Sequence, residues 1–318
     1  MQAIQSTRKR AILGQVSDAD IRLLRVFKSV VDCGGMASAE LELNIGISTI
    51  SKHVKDLETR VGLTLCRRGR GGFALTAEGE RVYAETLRLL AATDAFIRGV
   101  DEIHERLGGR LDVAVFDKTA SNPQARIADA IAAFAERAPD VTLNLHVAPM
   151  NAIERGVMDG RFQVGVIPAH RSSASLSYDA LFGETMLLYC GRRHPLFDAP
   201  DADLNWKHLG AYAFAGLGYH SPNMEVTQKM RLERSATGFD QESIATLILS
   251  GRFLGFLPDH YARSFEADGL LRALAPARLR YDCVFVSAIR TSPTPPRITE
   301  LFRQCLLQAH ASGAGAAA

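Results

Sequence analysis

Apolar and polar positions alternate with a helical period through much of the first hundred residues. Between residues 47 and 57 the apolar side chains recur at intervals of three and four, which places them on one buried face of a helix. These apolar positions are Ile47, Ile50, Val54 and Leu57. The polar positions of the same helix carry hydroxyls and lysines, namely Ser48, Thr49, Ser51, Lys52 and Lys55. We therefore predict an amphipathic helix whose polar side faces outward.

Short segments on either side of this helix complete a recognisable order of elements. A shorter helix and a tight turn precede it, so that a helix-turn-helix spans about residues 35–54. The segment LCRRGRGGFAL follows, and its glycines permit a tight hairpin. The arginines that this hairpin projects are Arg67, Arg68 and Arg70. Two short helices and a basic hairpin in this order predict a winged helix-turn-helix, a mainly helical DNA-binding domain, over residues 18–75.

A third helical pattern begins after Thr76, a suitable N-cap, and continues to about residue 108. Its apolar stripe consists of Leu87, Leu90, Phe96, Ile97, Val100 and Ile103. Thirty residues of helix span about 45 Å, which is too long for one small domain to bury. We predict a linker and dimerisation helix over residues 76–108, paired with a second copy of itself. The alternative is a long helix that packs on its own domain.

Strand and helix patterns alternate after Gly108 and Gly109, which end the long helix. Strand patterns occur at residues 111–116, 141–147, 162–167, 186–190, 211–216, 253–258 and 281–289. Helical patterns occur at residues 124–137, from 151, at 241–250 and at 297–308. This alternation predicts two α/β units with a mostly parallel sheet covered by helices. We expect residues 311–318, ASGAGAAA, to be a flexible tail.

Charge and cysteine content narrow the classes of protein to which the chain can belong. Residues 1–75 contain 12 Lys and Arg against 7 Asp and Glu, so positive charge is concentrated in the predicted DNA-binding domain. We expect residues 1–17, which include a basic cluster at residues 8–10, to be a disordered tail. The five cysteines are scattered, which argues against disulfides and a Cys-based metal site, although a redox switch stays open as an alternative. No signal peptide or membrane span is recognisable, so we expect a cytoplasmic protein.

Residues 20–76 resemble the N-terminal domain of the LysR-type transcriptional regulators. The matching pieces of the family motif are IRLLRVF (21–27), Gly34-Gly35-Met36, Leu43, Ser48, Ser51, Val54, Leu57-Glu58, Val61-Gly62, Leu65-Cys66, Arg68 and LTAEG (75–79). Three positions depart from the pattern. Glu40 stands where a small residue is usual, Ile47 where a polar, base-reading residue is common, and Cys66 where Phe is frequent. The resemblance implies a DNA-binding regulator of transcription.

Residues 110–310 resemble the effector-binding domain of the same family. The segments that carry this resemblance are residues 159–167, 192–196 and 247–258. Such a domain has the fold of periplasmic solute-binding proteins, in which two crossing strands join two α/β lobes around a ligand cleft. The resemblance implies an effector-binding domain at residues 109–310, with lobe I at residues 110–180 and 290–310 and lobe II at residues 181–289.

The residues predicted to contact DNA lie in the second helix of the helix-turn-helix and in the hairpin. They are Ser48, Thr49, Ser51, Lys52, Lys55, Arg67, Arg68 and Arg70. Short hydroxyls and a lysine can reach base edges and phosphates together, and arginines can enter a minor groove or bind a flanking phosphate. The alternatives are that Ser48 or Ser51 only caps its own helix and that the hairpin is merely an exposed basic turn.

Ligands of open α/β sheets bind beyond the carboxyl ends of the strands, where helices begin. The effector-binding candidates that this rule selects are Lys118, Thr119, Ser121, Met150, Phe214, Tyr219 and His220. Because Lys118 and His220 would add positive charge beside an apolar wall, we expect a small carboxylate-bearing or aromatic effector. We expect no cofactor and no bound metal.

Three classes of function compete for this sequence. A transcription factor accounts for both halves of the chain; its partners would be an inverted-repeat operator, a second copy in a dimer or tetramer, and RNA polymerase as a further candidate, with no membrane. A solute-binding protein shares the C-terminal fold but would have a signal peptide and no DNA-binding half. An enzyme is disfavoured because no GxGxxG, GxxxxGK[ST], HExxH or GxSxG motif is present. The sequence therefore predicts an effector-controlled transcriptional regulator and not an enzyme.

Overall fold

A computed structural model of the chain describes residues 14–69, 72–103, 107–230 and 232–314. It contains two compact units, Met1–Ile97 and Arg98–Ala318, each with its own hydrophobic core. Most of the predicted N-terminal tail, residues 1–13, lies outside the described residues, as do residues 315–318. None of the described helices combines the length and the apolar character needed to cross a membrane.

The described part of the N-terminal unit consists of helices and one short hairpin. Its elements are helices α1 (Asp18–Asp32), α2 (Met36–Leu43) and α3 (Ile47–Val61), strands β1 (Cys66–Gly69) and β2 (Gly72–Leu75), and helix α4 (Ala77–Ile103). Strand β1 is antiparallel to β2. The order of two short helices, a hairpin and a long helix is the predicted order. Helix α1 packs against α2 and α3.

Local interactions set the ends of these helices. Ser17 caps α1 by accepting a hydrogen bond from the backbone N–H of Asp20, whose carboxylate accepts one from the backbone N–H of Ser17 at 2.9 Å. Gly62 ends α3 with φ at +71°, a left-handed conformation that glycine adopts without steric cost. Thr76 caps α4 by accepting a hydrogen bond from the backbone N–H of Gly79 at 2.9 Å, as predicted.

The apolar faces of α1 and α3 form the core of this unit. Ile50, Val54 and Leu57 are fully buried, as the helical spacing predicts. Ile47 is different: the sequence places it on the same buried face, but 45% of its surface is exposed. This prediction was wrong because Ile47 is the first residue of α3, and the packed part of the helix begins one turn later at Ile50.

Polar contacts join the C-terminal end of α3 to neighbouring elements. The Asp20 carboxylate of α1 accepts hydrogen bonds of 2.8 and 2.7 Å from the Arg60 guanidinium, which holds the pKa of Asp20 well below its usual range. The Glu58 carboxylate accepts hydrogen bonds from the backbone N–H groups of Leu65 and Cys66, at 2.7 and 3.2 Å. Glu58 thereby positions the start of the hairpin on α3.

The described part of the C-terminal unit contains one mixed sheet of nine strands. The strands are β3 (Gly109–Val115), β4 (Val141–Val147), β5 (Val164–Pro168), β6 (Leu176–Gly191), β7 (Phe214–Leu217), β8 (Arg234–Gly238), β9 (Leu254–Pro258), β10 (Leu271–Ala273) and β11 (Arg280–Arg290). The helices are α5 (Ile127–Arg137), α6 (Met150–Met158), α7 (Trp206–Leu209), α8 (Pro222–Lys229), α9 (Gln241–Leu249), α10 (Asp259–Ala267) and α11 (Arg297–Ala314), with short 3-10 helices at Thr119–Ser121 and Asp201–Asp203. The strand order is β4-β3-β5-β11-β6-β9-β7-β8, and β10 pairs with β6.

Strands β6 and β11 are long antiparallel neighbours that divide this sheet into two lobes. On one side, β11 pairs with β5, and β3, β4 and β5 are mutually parallel. On the other side, β6 pairs with β9, and β7, β8 and β9 are mutually parallel. Between the pairs Phe285–Phe182 and Val286–Ala180 the register shifts, so Leu181 is an extra residue and forms a bulge. The resemblance described above implies a crossing between the lobes near this residue.

Three features of this unit differ from the sequence-based prediction. Strand β6 begins at Leu176, ten residues before the predicted strand, because its first half is mostly half-buried or exposed and forms no apolar run. Strands β8 and β10 and helices α8 and α10 were not predicted; β8 is an edge strand with mostly exposed residues. Helix α11 continues to Ala314, so residues 311–314 of the predicted flexible tail are helical.

Candidate functional site

The first turn of α3 presents its polar residues to the surface. The exposed residues are Ser48, Thr49, Lys52 and Lys55, while Ser51 is half-buried. The N-cap is Gly46, which offers no side chain and accepts hydrogen bonds from the backbone N–H groups of Thr49 and Ile50 through its carbonyl. The cap position is therefore occupied by neither of the two serines, and Ser48 and Thr49 of the first turn are exposed.

A carboxylate from α2 replaces the missing cap of α3. The Glu40 Oε1 atom accepts a hydrogen bond from the backbone N–H of Ile47 at 3.1 Å. The negative charge of Glu40 therefore lies at the positive end of the helix dipole, which stabilises the start of α3. This contact gives a structural reason for a glutamate at a position where the sequence pattern favours a small residue.

Two of the predicted arginines, Arg67 and Arg68, lie on strand β1 of the hairpin. Arg67 is exposed and pairs with Ala74, and Arg68 pairs with Phe73, on the antiparallel ladder of β1 and β2. The side chain of Arg68 and the whole of Arg70 lie outside the described residues. Gly79, at the start of α4, fits against the base of the hairpin because an added Cβ would lie 2.0 Å from the carbonyl oxygen of Leu65.

In the C-terminal unit, the loop after β3 meets the first turns of α9 and α10 across the cleft between the lobes. The backbone N–H of Gln241 donates to Asp117 Oδ2 at 2.7 Å. The Lys118 ammonium forms an ion pair with Glu242 and lies 4.5 Å from the centre of the Tyr261 ring. These contacts join a single loop of lobe I to helices of lobe II.

A third contact across the cleft continues into the crossing strand. Ser121 Oγ lies 2.9 Å from His260 Nδ1, and His260 Nε2 lies 2.9 Å from Glu184 Oε2. Glu184 lies on β6 and is buried, and burial raises its pKa while the bond from His260 opposes the rise. The chain of three polar groups therefore links lobe I, lobe II and the strand that joins them.

Two cavities lie along this cleft. The inner cavity holds about 20 Å³, room for one water-sized group, and is lined mainly by apolar and aromatic residues, among them Phe116, Met150, Met186, Leu217, Tyr219 and Tyr281. Gln241, Glu184 and Asn223 supply its polar lining. The outer cavity, of about 430 Å³, is lined by residues 117–118, 147–149, 239–240 and 242. The volume of the outer cavity suits a small organic ligand.

Three side-chain atoms at the cleft are buried and have no hydrogen-bond partner. They are Asp117 Oδ1, Tyr219 OH and Gln241 Oε1. Burial raises the pKa of Asp117 to about 6, the backbone N–H of Gln241 opposes this rise, and the nearby Asp240 charge adds to it. Burial also raises the pKa of Tyr219, and the charge of Asp117 raises it further. Buried polar atoms are rarely left unpaired, so these three mark a place where a bound molecule would complete the hydrogen bonding.

The structure distributes the predicted effector-binding residues over different places. Met150 and Tyr219 line the inner cavity, and Lys118 lines the outer one. Thr119 is buried in the 3-10 helix, and Ser121 contacts His260. Phe214 lines neither cavity, because it is buried in the core of lobe II, 6.0 Å from the ring of Phe256.

His220 also lies apart from both cavities. Its side chain is 47% exposed, and its Nε2 lies 3.7 Å from the carboxylate of Glu225. The two cations that the sequence analysis assigned to an anionic effector are therefore otherwise engaged, since Lys118 pairs with Glu242. Asp117 and Glu184 both place buried carboxyl groups at the cleft.

The sequence-based candidates did not include Asp117, Glu184 or His260. The rule for strand ends selects the turn at residues 240–242, which contains Gln241, without giving Gln241 a role of its own. Asp117 directly follows an apolar strand, which is a usable signal. Glu184 and His260 have no such signal, because they become functional candidates only through their contact with each other.

Both halves of the chain match known protein families. Residues 21–80 match the family described as bacterial regulatory helix-turn-helix protein, lysR family, and residues 104–311 match the LysR substrate binding domain. The HTH-type transcriptional activator BauR of Pseudomonas aeruginosa is 40% identical over 294 residues, which cover 92% of this chain and 96% of BauR. The probable HTH-type transcriptional regulator LrrA of Synechococcus elongatus is 26% identical over 75% of this chain and 81% of its own.

A solved structure has the same fold. The full-length CbnR in complex with its target DNA matches with a TM-score of 0.60 and 20% identity, covering 91% of this chain and 99% of CbnR. The two matched regions follow one another in the order that the family requires, and together they span most of the chain. The chain therefore belongs to the LysR family of bacterial transcriptional regulators, with a helix-turn-helix DNA-binding domain followed by an effector-binding domain.

Proposed function

We propose that this regulator binds an inverted-repeat operator as a dimer, or as a dimer of dimers, and that a small effector between its two lobes controls it. The observation that carries the proposal is the exposed first turn of α3, where Ser48 and Thr49 stand beside Lys52 with no cap function to perform. We further propose a cytoplasmic location. An activating role is supported by the relative BauR, which is described as a transcriptional activator.

The residues of α3 suit different parts of a DNA duplex. We assign Ser48, Thr49 and Ser51 to the base edges of a major groove, because short hydroxyls can donate to and accept from bases. Lys52 and Lys55, further along the helix, are assigned to phosphates. Arg67, with Arg68 and Arg70, would bind the flanking minor groove or phosphate from the hairpin.

Helix α4 supplies a surface on which a second copy can pack. It carries three exposed apolar side chains near its end, Phe96, Ile97 and Val100, of which Phe96 is 72% exposed. Phe96 and Val100 are four residues apart and therefore lie on the same face. A symmetric pair of such helices would bury this face and present two copies of α3, which matches an inverted repeat.

Effector control is supported by the contacts of the loop after β3. Asp117, Lys118 and Ser121 all bind groups of lobe II, so a ligand in the cleft would compete with or reinforce the bonds that hold the lobes together. A serine, histidine and carboxylate chain is also found in hydrolases. Because the family consists of regulators, we interpret Ser121, His260 and Glu184 as a contact between the lobes.

The proposal is tested by gel shift of the full-length chain on the DNA upstream of its own gene. We expect a specific complex that survives excess competitor DNA. Thr49→Ala should cost on the order of 1–3 kcal/mol of binding free energy on the preferred site and little on mismatched sites. Thr59→Ala is the matched control, since Thr59 is an exposed threonine of the same helix whose hydroxyl donates to the carbonyl of Lys55. A failure to form any specific complex would contradict the proposal.

A further inference from the structure

The three unpaired atoms at the cleft constrain the chemistry of the effector. Tyr219 is 8% exposed, Gln241 is 3% exposed and Asp117 is 9% exposed, so water has little access to any of them. They are also close neighbours. The backbone N–H of Gln241 binds the other oxygen of the Asp117 carboxylate, and the charge of Asp117 acts on Tyr219.

These atoms call for a hydrogen-bond donor. An ionised carboxylate only accepts hydrogen bonds, the Oε1 atom of Gln241 is a carbonyl acceptor, and the Tyr219 hydroxyl can accept as well as donate. A ligand carboxylate would add negative charge beside the Asp117 carboxylate, without supplying a donor. A protonated amine offers up to three N–H donors and a positive charge from one atom.

The basic side chains near the Asp117 carboxylate already have other partners. Lys118 pairs with Glu242, and the two ring nitrogens of His260 contact Ser121 and Glu184. The charge of Asp117 is therefore not balanced by a direct ion pair among the described residues. An ammonium group from outside the protein would supply that balance.

We propose that the effector carries a protonated amine, which donates hydrogen bonds to Asp117 Oδ1, Gln241 Oε1 and Tyr219 OH. This inference rests on the proposed function, because it assumes that the effector binds between the lobes. The carbon skeleton of the ligand would extend into the outer cavity of about 430 Å³, which Asp117 lines, against Val147, Pro149 and Phe239. The apolar lining suits an amine with a short hydrocarbon body.

The proposal has a pH dependence with a definite sign. The charged or titratable groups that face Asp117 are Lys118, Glu184, Tyr219 and Asp240. Burial raises the pKa of Asp117 to about 6, so this carboxylate is ionised at pH 7 and becomes protonated below about pH 6. A protonated Asp117 no longer attracts an ammonium group. Amine affinity should therefore fall by roughly tenfold for each pH unit below about 6.

The test uses matched probes on the full-length chain. Propylamine, butylamine and pentylamine are compared with the carboxylates and the alcohols of the same lengths, by titration calorimetry and by the shift in thermal unfolding midpoint. We expect at least one amine to bind and to raise the midpoint, and the carboxylates and alcohols to bind more weakly or not at all.

Two variants identify the group that binds the amine. Asp117→Asn can still accept from the backbone N–H of Gln241 while its amide places a donor where Oδ1 was, so it should weaken amine binding roughly tenfold to a hundredfold. Asp140→Asn is the control, because Asp140 is an exposed aspartate of lobe I that lines neither cavity. This control should bind amines about as well as the parent chain.

The outcomes separate this inference from the proposed function. Preferential binding of the carboxylates, equal amine binding by Asp117→Asn, or no binding of any amine would overturn the amine proposal. Operator binding by the parent chain is measured beside it in a gel shift. A lack of specific operator binding would instead contradict the proposed function, whatever the amines do.

Discussion

Ile47 and Ile50 show how one turn of helix separates two roles at the scale of single residues. Ile50 is fully buried, whereas Ile47 begins α3 and is 45% exposed. An apolar side chain at the start of this helix can touch the methyl group of a thymine, but it cannot read a purine through paired hydrogen bonds. We therefore assign Ile47 to the DNA-facing surface and Ile50 to the core.

This assignment predicts a difference between two equal substitutions. Ile47→Gln should change the preferred operator sequence and alter the free energy of unfolding by no more than about 0.5 kcal/mol. Ile50→Gln, the matched control, should cost on the order of 3 kcal/mol because it buries an amide in an apolar core. Selection of binding sites from random DNA and urea denaturation measure the two effects. An identical consensus sequence for the parent chain and for Ile47→Gln would contradict the assignment of Ile47 to the DNA-facing surface.

Replacement of the Asp117 carboxyl group should stabilise the protein to an extent that depends on pH. Its pKa is raised from about 4 in the unfolded chain to about 6 in the folded one, so the folded state loses stability as pH rises through this window. Asp117→Asn avoids that loss and should be more stable than the parent chain by on the order of 1–3 kcal/mol at pH 7, and by little at pH 4. Urea denaturation at the two pH values measures the difference.

Asp240 is the control for this measurement because its pKa is shifted the other way. Hydrogen bonds from the side chain and backbone of Ser243 lower the pKa of Asp240, so its contribution to stability is present at neutral pH and is lost as pH falls below about 4. Asp240→Asn should therefore show no gain at pH 7. A stability difference that is the same at both pH values for Asp117→Asn would rule out this account.

The residues of the two candidate sites were not equally predictable. The polar face of α3 belongs to a single helix, so spacing alone groups Ser48, Thr49 and Lys52 together. Asp117, Gln241 and His260 come from separate segments, and their proximity depends on how two lobes pack around β6. No local pattern encodes that distance, which is why the cleft was predicted by position in the fold and its polar residues were largely missed.

At the scale of elements, α4 combines a well-anchored start with an exposed apolar end. Thr76 fixes the first turn, and the apolar residues Phe96, Ile97 and Val100 near the other end are exposed. Large exposed apolar side chains on one face of a soluble helix indicate a contact with another molecule. The proposed dimer therefore depends on these residues.

We predict that Phe96→Asp weakens the dimer. Each copy loses a buried aromatic side chain worth about 1.5–3 kcal/mol, so the dimer dissociation constant should rise by at least roughly tenfold. Analytical ultracentrifugation over a range of concentrations measures this constant. Glu80→Gln, an exposed polar change in the first turns of the same helix, is the control and should leave it unaltered. An unchanged dissociation constant for Phe96→Asp would exclude this face as the interface.

The class of each element was predictable where the apolar pattern was continuous. The predicted winged helix-turn-helix and two-lobed α/β domain are confirmed. Helical spacing predicted α3 correctly, and apolar runs predicted β3, β5 and β9. The first half of β6 escaped detection because it is only half-buried. Strand β8 escaped for the same reason, because it forms the edge of the sheet and buries little.

At the scale of the whole molecule, a dimeric DNA-binding protein should depend steeply on salt. Each copy would place Lys52, Lys55 and the hairpin arginines near phosphates, and each neutralised phosphate releases counterions. The overall net charge of +2 does not show how basic the DNA-binding half is, because the positive charge is concentrated in the first 75 residues.

We predict that Lys55→Ala reduces the slope of log affinity against log salt by about 2 for a dimer, because each copy loses one phosphate contact. Fluorescence anisotropy with labelled operator DNA at several salt concentrations measures the slope. Lys28→Ala is the control, since Lys28 forms an ion pair with Asp32 on its own helix. Equal slopes for the parent chain and for Lys55→Ala would remove Lys55 from the DNA interface.

The route of the chain through the two lobes also has a consequence for biosynthesis. Lobe I starts with β3, yet β5 obtains its second neighbour only from β11, and Phe134 of α5 meets its partner Phe302 only when α11 has formed. A ribosome must therefore release both β11 and α11 before the first lobe can close. Nascent chains would expose the edge of β5 until that moment, and unpaired strand edges favour aggregation. A stop codon before β11 would consequently destroy lobe I, which is made before lobe II.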